Sequence, residues 1–171
     1  MRDINSFLKD NGISLEKLEV DEPTSNLPYS VEEFDKVKTR VMKYVTYKKR
    51  TEKEVRDKFR DMFDETILSD VIEKIKELGY INEDDYVERS FNEFIALKTI
   101  SVKEIKNKLI SKGVSVNSID NYIAEHYDEL LDFELNCAKK IVKKKKDLDE
   151  FELKNYLYKK MYREDIIKKV L

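Results

Sequence analysis

The residues best able to do acid–base, redox or metal chemistry are few and scattered in this chain. His126 is the only histidine and Cys137 the only cysteine, so the sequence holds neither a paired-histidine metal site nor an intramolecular disulfide. The acidic run Glu83, Asp84 and Asp85 lacks the spacing of a calcium-binding loop and suits a helix start, where negative charge is favourable. No glycine-rich phosphate-binding loop is present either. We therefore expect a protein that is not an enzyme and that carries no metal or cofactor.

Clustered positive charge is the second chemical feature of the sequence. Lys48, Lys49 and Arg50 form the first cluster, and we add to it Arg56 from a further basic group nearby, Arg56, Lys58 and Arg60. The other cluster is the run Lys143, Lys144, Lys145 and Lys146. Such groups bind DNA phosphates or an acidic protein face, although a lysine run at a helix end can also be plain solvated surface. The sequence pI of about 5.7 argues against strong independent DNA binding, because DNA-binding domains are usually far more basic. Our hypothesis is that both clusters belong to one long contact surface for a partner.

The composition predicts a helical protein. Only 3 of the 171 residues are glycine and 2 are proline, too few for the many turns of a sheet-rich domain. Charge is uneven, with 3 basic and 9 acidic residues in 1–35 but 12 basic and 6 acidic in 136–171. The single cysteine fits a reducing compartment, and we see neither a signal-peptide pattern nor an apolar stretch that could span a membrane. A cytoplasmic monomer is the expectation.

Capping residues followed by apolar residues at helical spacing predict nine helices from residue 31 onward. The predicted caps include Thr51, Asp64, Asn82, Ser101 and Asp149. One further helix is predicted to start at Val116 or Asn117, and the next is marked by apolar residues from Phe133 onward. Most aromatic residues have core spacing, whereas Tyr158 and Tyr162 lie near basic residues and are predicted to be surface contacts.

The middle helices of three consecutive groups repeat one pattern. Caps at Thr51, Ser101 and Asp149 are each followed by glutamate three residues later, then an apolar residue, then another four further on. The sequence therefore predicts an all-α fold of three tandem three-helix repeats in an elongated, curved array. The predicted divisions are a short acidic N-terminal segment with a linker at 1–30, repeat 1 at 31–81, repeat 2 at 82–130 and repeat 3 at 131–171.

Three segments resemble the RecX family of bacterial recombination regulators, over about residues 34–171. They are Y-V-T-Y-K-K-R-T-E-K-E-V-R-D-K-F in repeat 1, L-G-Y-I-N-E-D-D-Y-V-E-R-S-F across the boundary of repeats 1 and 2, and I-K-N-K-L-I-S-K-G-V at the end of the middle helix of repeat 2. The chain departs from the family pattern at Val87-Glu88, where alanine is usual, and at Lys160-Met161-Tyr162, where an Arg-Gly-Phe-like turn is common.

The resemblance implies a partner and a function. Members of the family bind the RecA recombinase filament on single-stranded DNA and modulate it, usually by inhibition, without catalytic activity of their own. It implies the same function here in DNA repair and recombination. The low pI is compatible with weak direct DNA contact in addition. The alternative is a DNA-binding protein whose three-helix units act like helix-turn-helix modules, but the third helices carry mainly Glu, Asp and Lys, and Asn117 and Asn121 are the chief exceptions.

Overall fold

The computed structural model describes residues 27–171, and these residues contain nine α-helices and no strand. The all-α prediction is confirmed. The helices are α1 Val31–Tyr47, α2 Glu52–Phe59, α3 Glu65–Glu77, α4 Glu83–Leu97, α5 Val102–Ser111, α6 Val116–Glu125, α7 Tyr127–Lys144, α8 Glu150–Lys159 and α9 Glu164–Val170. The predicted acidic segment lies almost wholly outside the described residues, and Val31–Leu171 forms one compact unit.

Side-chain caps set where most of these helices begin. Thr51 and Asp149 form complete capping boxes, in which the cap side chain accepts from the amide of Glu54 or Glu152 and that glutamate accepts from the cap amide. At Ser101 only the first half is present, because Glu104 lies near Lys108 instead. Asp64 and Asn82 also cap α3 and α4 as predicted. The cap of α6 is Ser115, which the sequence analysis did not single out.

The helices pack in three triplets that share one plan. In triplet 1 (α1–α3) the first helix packs against the third, and the same pairing joins α4 to α6 in triplet 2 (α4–α6) and α7 to α9 in triplet 3 (α7–α9). Each long first helix thus lies against the third, as expected for a repeated unit that buries one apolar stripe per helix. Repeat boundaries and curvature stay predictions. The structure starts α7 at Tyr127, ahead of both Phe133 and the predicted boundary at residue 131.

The triplets bury equivalent cores. Triplet 2 is centred on Phe91, Ile105 and Ile119, each fully buried. Triplet 3 is centred on Ala138, Leu157 and Ile166, also fully buried. Fully buried residues of triplet 1 are Val41, Val55, Leu68, Val71 and Ile75. Tyr162 is buried in the core of triplet 3, so its predicted place at the surface is wrong, whereas Tyr158 is exposed as predicted. Tyr162 follows the turn after α8 and takes the place that Val114 takes after α5.

One kind of hydrogen bond links each triplet to the next. The Thr51 hydroxyl donates to the carbonyl oxygen of Lys112 at 2.7 Å, and the Ser101 hydroxyl donates to that of Lys160 at 2.7 Å. In both cases the N-terminal cap of one middle helix contacts the C-terminal end of the next middle helix. Thr51 and Ser101 are buried, with 6% and 0% of their surfaces exposed. The hydroxyls therefore serve twice, because each also accepts the amide that caps its own helix.

Left-handed residues end two of the middle helices. Gly113 has φ +85°, and a Cβ built there would lie 2.5 Å from the Cβ of Lys53 in triplet 1. Met161 occupies the matching turn after α8 with φ 61°, the one non-glycine residue with positive φ in the described part of the chain. At both turns the next amide donates back five residues, from Val114 to Leu109 and from Tyr162 to Leu157. The turn is thus preserved although the favoured glycine is not.

Candidate partner-binding surface

A groove of about 720 Å³ opens where the end of α1 meets α4 and α5. We call it the cationic groove, because its charged lining consists of five basic residues and one acid. The basic residues are Lys48, Lys49, Arg89, Lys108 and Lys112, and the acid is Glu93. Tyr47, Tyr80 and Tyr86 also line it. Its walls come from triplets 1 and 2, so the first basic cluster is completed by residues far away in sequence.

Only some of the cations in the groove are available to a partner. Lys48 and Arg89 are exposed and form no ion pair with any described residue. Lys49 pairs with Asp85, and the Lys112 ammonium lies 2.6 Å from the Glu54 carboxylate. Burial alone would raise the pKa of Glu54, but bonds from Lys112 and the Thr51 amide hold that pKa below its usual range. The Glu54–Lys112 pair therefore joins α2 to α5 and is part of the scaffold.

The other two members of the first cluster are also engaged inside the protein. Arg50 stacks on the Tyr44 ring, with 4.5 Å from Cζ to the ring centroid, and its buried Nε has no hydrogen-bond partner. Arg56 donates to Glu52 on its own helix and to Glu65 and Ser69 on α3. These two arginines hold triplet 1 together, so Lys48 is the member of the predicted cluster that the structure leaves open for binding.

The second cluster spans the end of α7. Lys143, Lys144 and Lys146 are exposed, whereas the Lys145 ammonium lies 4.5 Å from the centroid of the Tyr156 ring on α8. Lys143 and Lys144 occupy the last turn of the helix, where the helix dipole favours cations. That position explains their presence without a ligand. It also leaves three ammonium groups in solvent with no ion pair among the described residues.

The sequence analysis did not identify the exposed tyrosines of the cationic groove as binding residues. Tyr47 has 88% of its surface exposed and Tyr80 has 39%. Exposed rings beside cations suit both a protein interface and stacking on nucleic-acid bases. The signal for Tyr47 was its place beside Lys48 at a helix end. Nothing in the sequence pattern marked Tyr80, Arg89 or Lys108 as neighbours of Lys48.

The candidates for chemistry have structural places. The ring of His126 stacks on Tyr122 with 4.1 Å between centroids, and Cys137 is buried, as predicted. The Glu83 carboxylate accepts from the Ser115 amide and hydroxyl and from the Ser118 hydroxyl, and so fixes the start of α6. Burial would raise the pKa of Glu83, but these bonds lower it. In the described residues, no group of three or more His, Cys, Asp or Glu is placed to hold a metal ion.

One buried charge was missed altogether. Glu134 on α7 is fully buried, and one of its oxygens accepts from Arg163 Nε at 3.1 Å. Burial raises the pKa of Glu134 above the usual carboxyl value, although the guanidinium of Arg163 pulls in the opposite direction. Its other oxygen is buried without a hydrogen-bond partner. The helical spacing of α7 places residue 134 on the buried face. It was missed because glutamate is usually exposed.

Within the described residues, no helix is both long enough and apolar enough to cross a membrane.

Known proteins resemble this chain in both sequence and fold. Regulatory protein RecX of Finegoldia magna is 30% identical over 139 residues, which make up 75% of this chain and 67% of that protein. Regulatory protein RecX of Staphylococcus haemolyticus is 35% identical over 108 residues, or 61% of this chain and 40% of that protein. No family model matches the sequence.

Two solved structures share the fold. The crystal structure of RecX from Lactobacillus salivarius superposes with a TM-score of 0.71 at 24% identity and covers 82% of this chain and 96% of that one. The crystal structure of another regulatory protein RecX gives a TM-score of 0.72 at 18% identity, covering 81% of this chain and 72% of that one. At identities below 25%, these structural matches show the fold alone. The family is shown by the sequence similarity to the Finegoldia magna protein.

Proposed function

Because this chain belongs to the RecX family of regulatory proteins, we propose that it binds the RecA recombinase filament on single-stranded DNA and modulates it, with inhibition as the expected direction. The observation that carries the proposal is the similarity to regulatory protein RecX over 75% of the chain, in which the matched part folds as the RecX crystal structures do. The proposed role is that of a binding protein without catalytic activity, acting in DNA repair and recombination and in the SOS response.

The proposed contact surface joins the cationic groove to the lysines at the end of α7. The exposed cations available for it are Lys48 and Arg89 in the groove and Lys143, Lys144 and Lys146 at the end of α7. They come from triplets 1, 2 and 3, so a filament bound along the array would meet several of them at once. Modest contacts held on one folded body reinforce one another through their effective concentration. Acidic faces of the filament protein and DNA phosphates are both suitable partners for these ammonium and guanidinium groups.

Reading of duplex DNA by the third helices is the weaker alternative. The exposed residues of α3 include Glu65, Glu73 and Glu77, which phosphates would repel. On α6 the exposed Asn117 and Asn121 could reach base edges, but Asp120 lies between them. The third helices therefore offer no consistently cationic face for a DNA groove.

The test is ATP hydrolysis by RecA on single-stranded DNA, measured with increasing amounts of the full-length chain. We expect hydrolysis to fall as the protein is added, and the protein to co-sediment with the filaments. The matched control is sedimentation with the same DNA in the absence of RecA, which should retain far less protein. Unchanged hydrolysis at several-fold excess, together with no co-sedimentation, would refute the proposal.

A further inference from the structure

A second cavity, of about 360 Å³, lies between triplets 2 and 3 and is separate from the cationic groove. Its apolar lining is formed by Val102 on α5, Ile123 on α6 and Leu130 and Leu131 on α7. Tyr127, with half of its surface exposed, also lines it. A mostly apolar pocket of this size with a few polar groups is typical of a site that receives a ligand group.

Polar side chains from α5, α6 and α7 and from Arg163 also line this cavity, and among them Glu134 is unusual when the three triplets are compared. The residue four positions before the central core residue of the first helix is Val37 ahead of Val41, Val87 ahead of Phe91, and Glu134 ahead of Ala138. Triplet 3 thus carries a carboxylate where triplets 1 and 2 carry valine. Burying an ion pair rarely adds stability over apolar packing, so stability alone does not explain the exchange.

Glu134 is incompletely satisfied in the protein. Arg163 bonds to Oε2, while Oε1 is buried with no hydrogen-bond partner. Orphaned buried oxygens are rare in folded proteins, because each forfeits its bonds to water. Arg163 also stacks on Tyr127, with 5.6 Å from Cζ to the ring centroid. The carboxylate is therefore fixed in place beside the cavity, with one acceptor unused.

The charges around the cavity restrict what could enter it. Arg163 already neutralises Glu134, and Lys106 at the wall is paired with Asp120. Lys103 is exposed and has no ion pair among the described residues. An inserted cation would therefore be repelled by the unpaired charge of Lys103. A neutral hydrogen-bond donor would not be repelled. Acidic groups flanking that donor would be attracted by Lys103.

From these observations we propose that the cavity is a docking site for an aromatic side chain with a hydrogen-bond donor, tyrosine or tryptophan, from an acidic segment of a partner protein. The ring fills the apolar space beside Leu130 and Leu131, and its O–H or N–H donates to the Glu134 carboxylate. Acidic neighbours in the partner lie against Lys103. Aromatic anchors in desolvated pockets are the usual energetic centres of protein interfaces.

The test is an amide NMR titration of the full-length chain with a blocked pentapeptide that has tyrosine between two glutamates on each side. We expect saturable shifts at the amides of Ile123, Leu130 and Leu131. Replacing the tyrosine by phenylalanine should weaken binding about fivefold, because one hydrogen bond is lost. Replacing the glutamates by lysines should weaken it as well. RecA is absent from this experiment, so its outcome does not depend on the proposed regulatory function.

The matched variant is Glu134→Val, which installs the residue that triplets 1 and 2 use and so preserves the core. It should bind the tyrosine and phenylalanine peptides equally, with its helical circular dichroism unchanged. The proposal is wrong if no saturable shifts arise at these amides, if the native protein does not distinguish the two peptides, or if Glu134→Val still does. Binding of p-cresol as tight as that of the peptide would also overturn it, because the flanking segment would then contribute nothing.

Discussion

At the scale of single residues, the turns after α5 and α8 adopt the same backbone conformation with different residues. Gly113 and Met161 both have positive φ, a region in which a side chain costs about 1–2 kcal/mol. Gly113 has the added constraint of Lys53 directly above it. Met161 is partly exposed, and its sulfur lies 3.1 Å from the Asn107 amide nitrogen. The strain is therefore stored in triplet 3 and avoided in triplet 2.

Exchange of residue types at these two turns should change stability in opposite directions. Met161→Gly should raise the free energy of unfolding by about 0.5–1 kcal/mol, since relief of strain exceeds the added freedom of the unfolded chain. Gly113→Ala should lower the free energy of unfolding by about 2 kcal/mol. Alanine is strained at this positive φ, and its Cβ would clash with the Lys53 side chain. Urea unfolding followed by circular dichroism measures both. A stabilising Gly113→Ala would contradict the close contact with Lys53.

The second residue-scale prediction concerns Glu134 and pH. Its pKa is raised in the folded protein, so the folded state holds this proton more tightly than the unfolded chain does. Stability from this group is complete below the unfolded carboxyl pKa. It is lost as pH rises through the higher folded pKa. Glu134→Val should remove that loss, so the variant should gain stability relative to the parent as pH rises from about 4 towards neutrality.

The measurement is the free energy of unfolding of both proteins in urea at several pH values. The difference between them isolates Glu134, because carboxyls with lowered pKa, such as Glu54 and Glu83, are common to both. Glu134→Gln serves as control: it keeps the shape without the titration, and should show the same flattened dependence. A parent-to-variant difference that is constant with pH would mean that burial does not govern this carboxyl.

At the scale of helices, the cap residues of α2, α5 and α8 do different work despite their common sequence pattern. Thr51 and Ser101 cap their helices and also donate to the following triplet. Asp149 also caps α8, but it is exposed and lacks the hydroxyl donor that serine and threonine carry. In α2 and α5 the same residue therefore caps the helix and bonds to the next triplet. In α8 the cap residue only caps the helix.

A reciprocal exchange of caps tests this distinction. Ser101→Asp keeps a good cap but brings a carboxylate against the Lys160 carbonyl, and should lower the free energy of unfolding by about 2–3 kcal/mol. Asp149→Ser should change it by less than about 0.5 kcal/mol, since serine and aspartate cap about equally well. Thermal unfolding of both variants, with Ser101→Ala as reference, gives the comparison. Equal effects of the two exchanges would show that the Ser101–Lys160 bond is unimportant.

The helix starts differ in how well the sequence could predict them. The caps at Thr51, Asp64, Asn82 and Asp149 were predictable because capping chemistry is local. The start of α7 at Tyr127 was not, because His126 makes no side-chain cap bond and the chain turns there from one helix directly into the next. Tyr162 was misplaced because its basic neighbours suggested surface, while packing against α7 and α9 decided the matter.

At the scale of the whole molecule, the basic clusters separate into structural and available charges. The sequence shows where basic residues cluster along the chain. It could not distinguish Lys48, which forms no ion pair with a described residue, from Arg50 and Arg56, which are engaged in triplet 1. It also could not supply Arg89, because only the packing of α4 beside the end of α1 brings that residue to the cationic groove. Contacts between distant segments depend on tertiary packing, which local pattern does not encode.

We therefore predict that two sets of substitutions weaken filament binding without affecting the fold. One is Lys48→Gln with Arg89→Gln, and the other replaces Lys143, Lys144 and Lys146 by Gln. At about 0.3–1 kcal/mol for each charge at the interface edge, the double substitution should weaken filament binding, measured by co-sedimentation with RecA filaments, about 3- to 30-fold and the triple substitution about 5- to 150-fold at moderate salt. The loss should shrink at high salt, where the charges are screened.

The control for this prediction replaces Lys36 and Lys43, which are exposed on α1 and do not line the cationic groove. It removes two positive charges from the same protein and should leave binding within twofold of the parent, a change of about 0.4 kcal/mol. If the control loses as much binding as the two test sets, the effect is one of net charge and no defined surface exists. Parent-like binding by both test sets would exclude the proposed surface.

The hydroxyl bond between triplets has a consequence for how such a chain could grow. In the language of polymer synthesis, Thr51 and Ser101 are linking groups and Asp149 is a terminating group. A gene duplication that copied the segment around Ser101 would carry its own connector and could extend the series by a further member. A copy made from the segment around Asp149 would first need a change to serine or threonine before it could be joined in the same way. The residue type at the start of the middle helix thus decides whether a copied triplet could form this hydroxyl bond to the triplet after it.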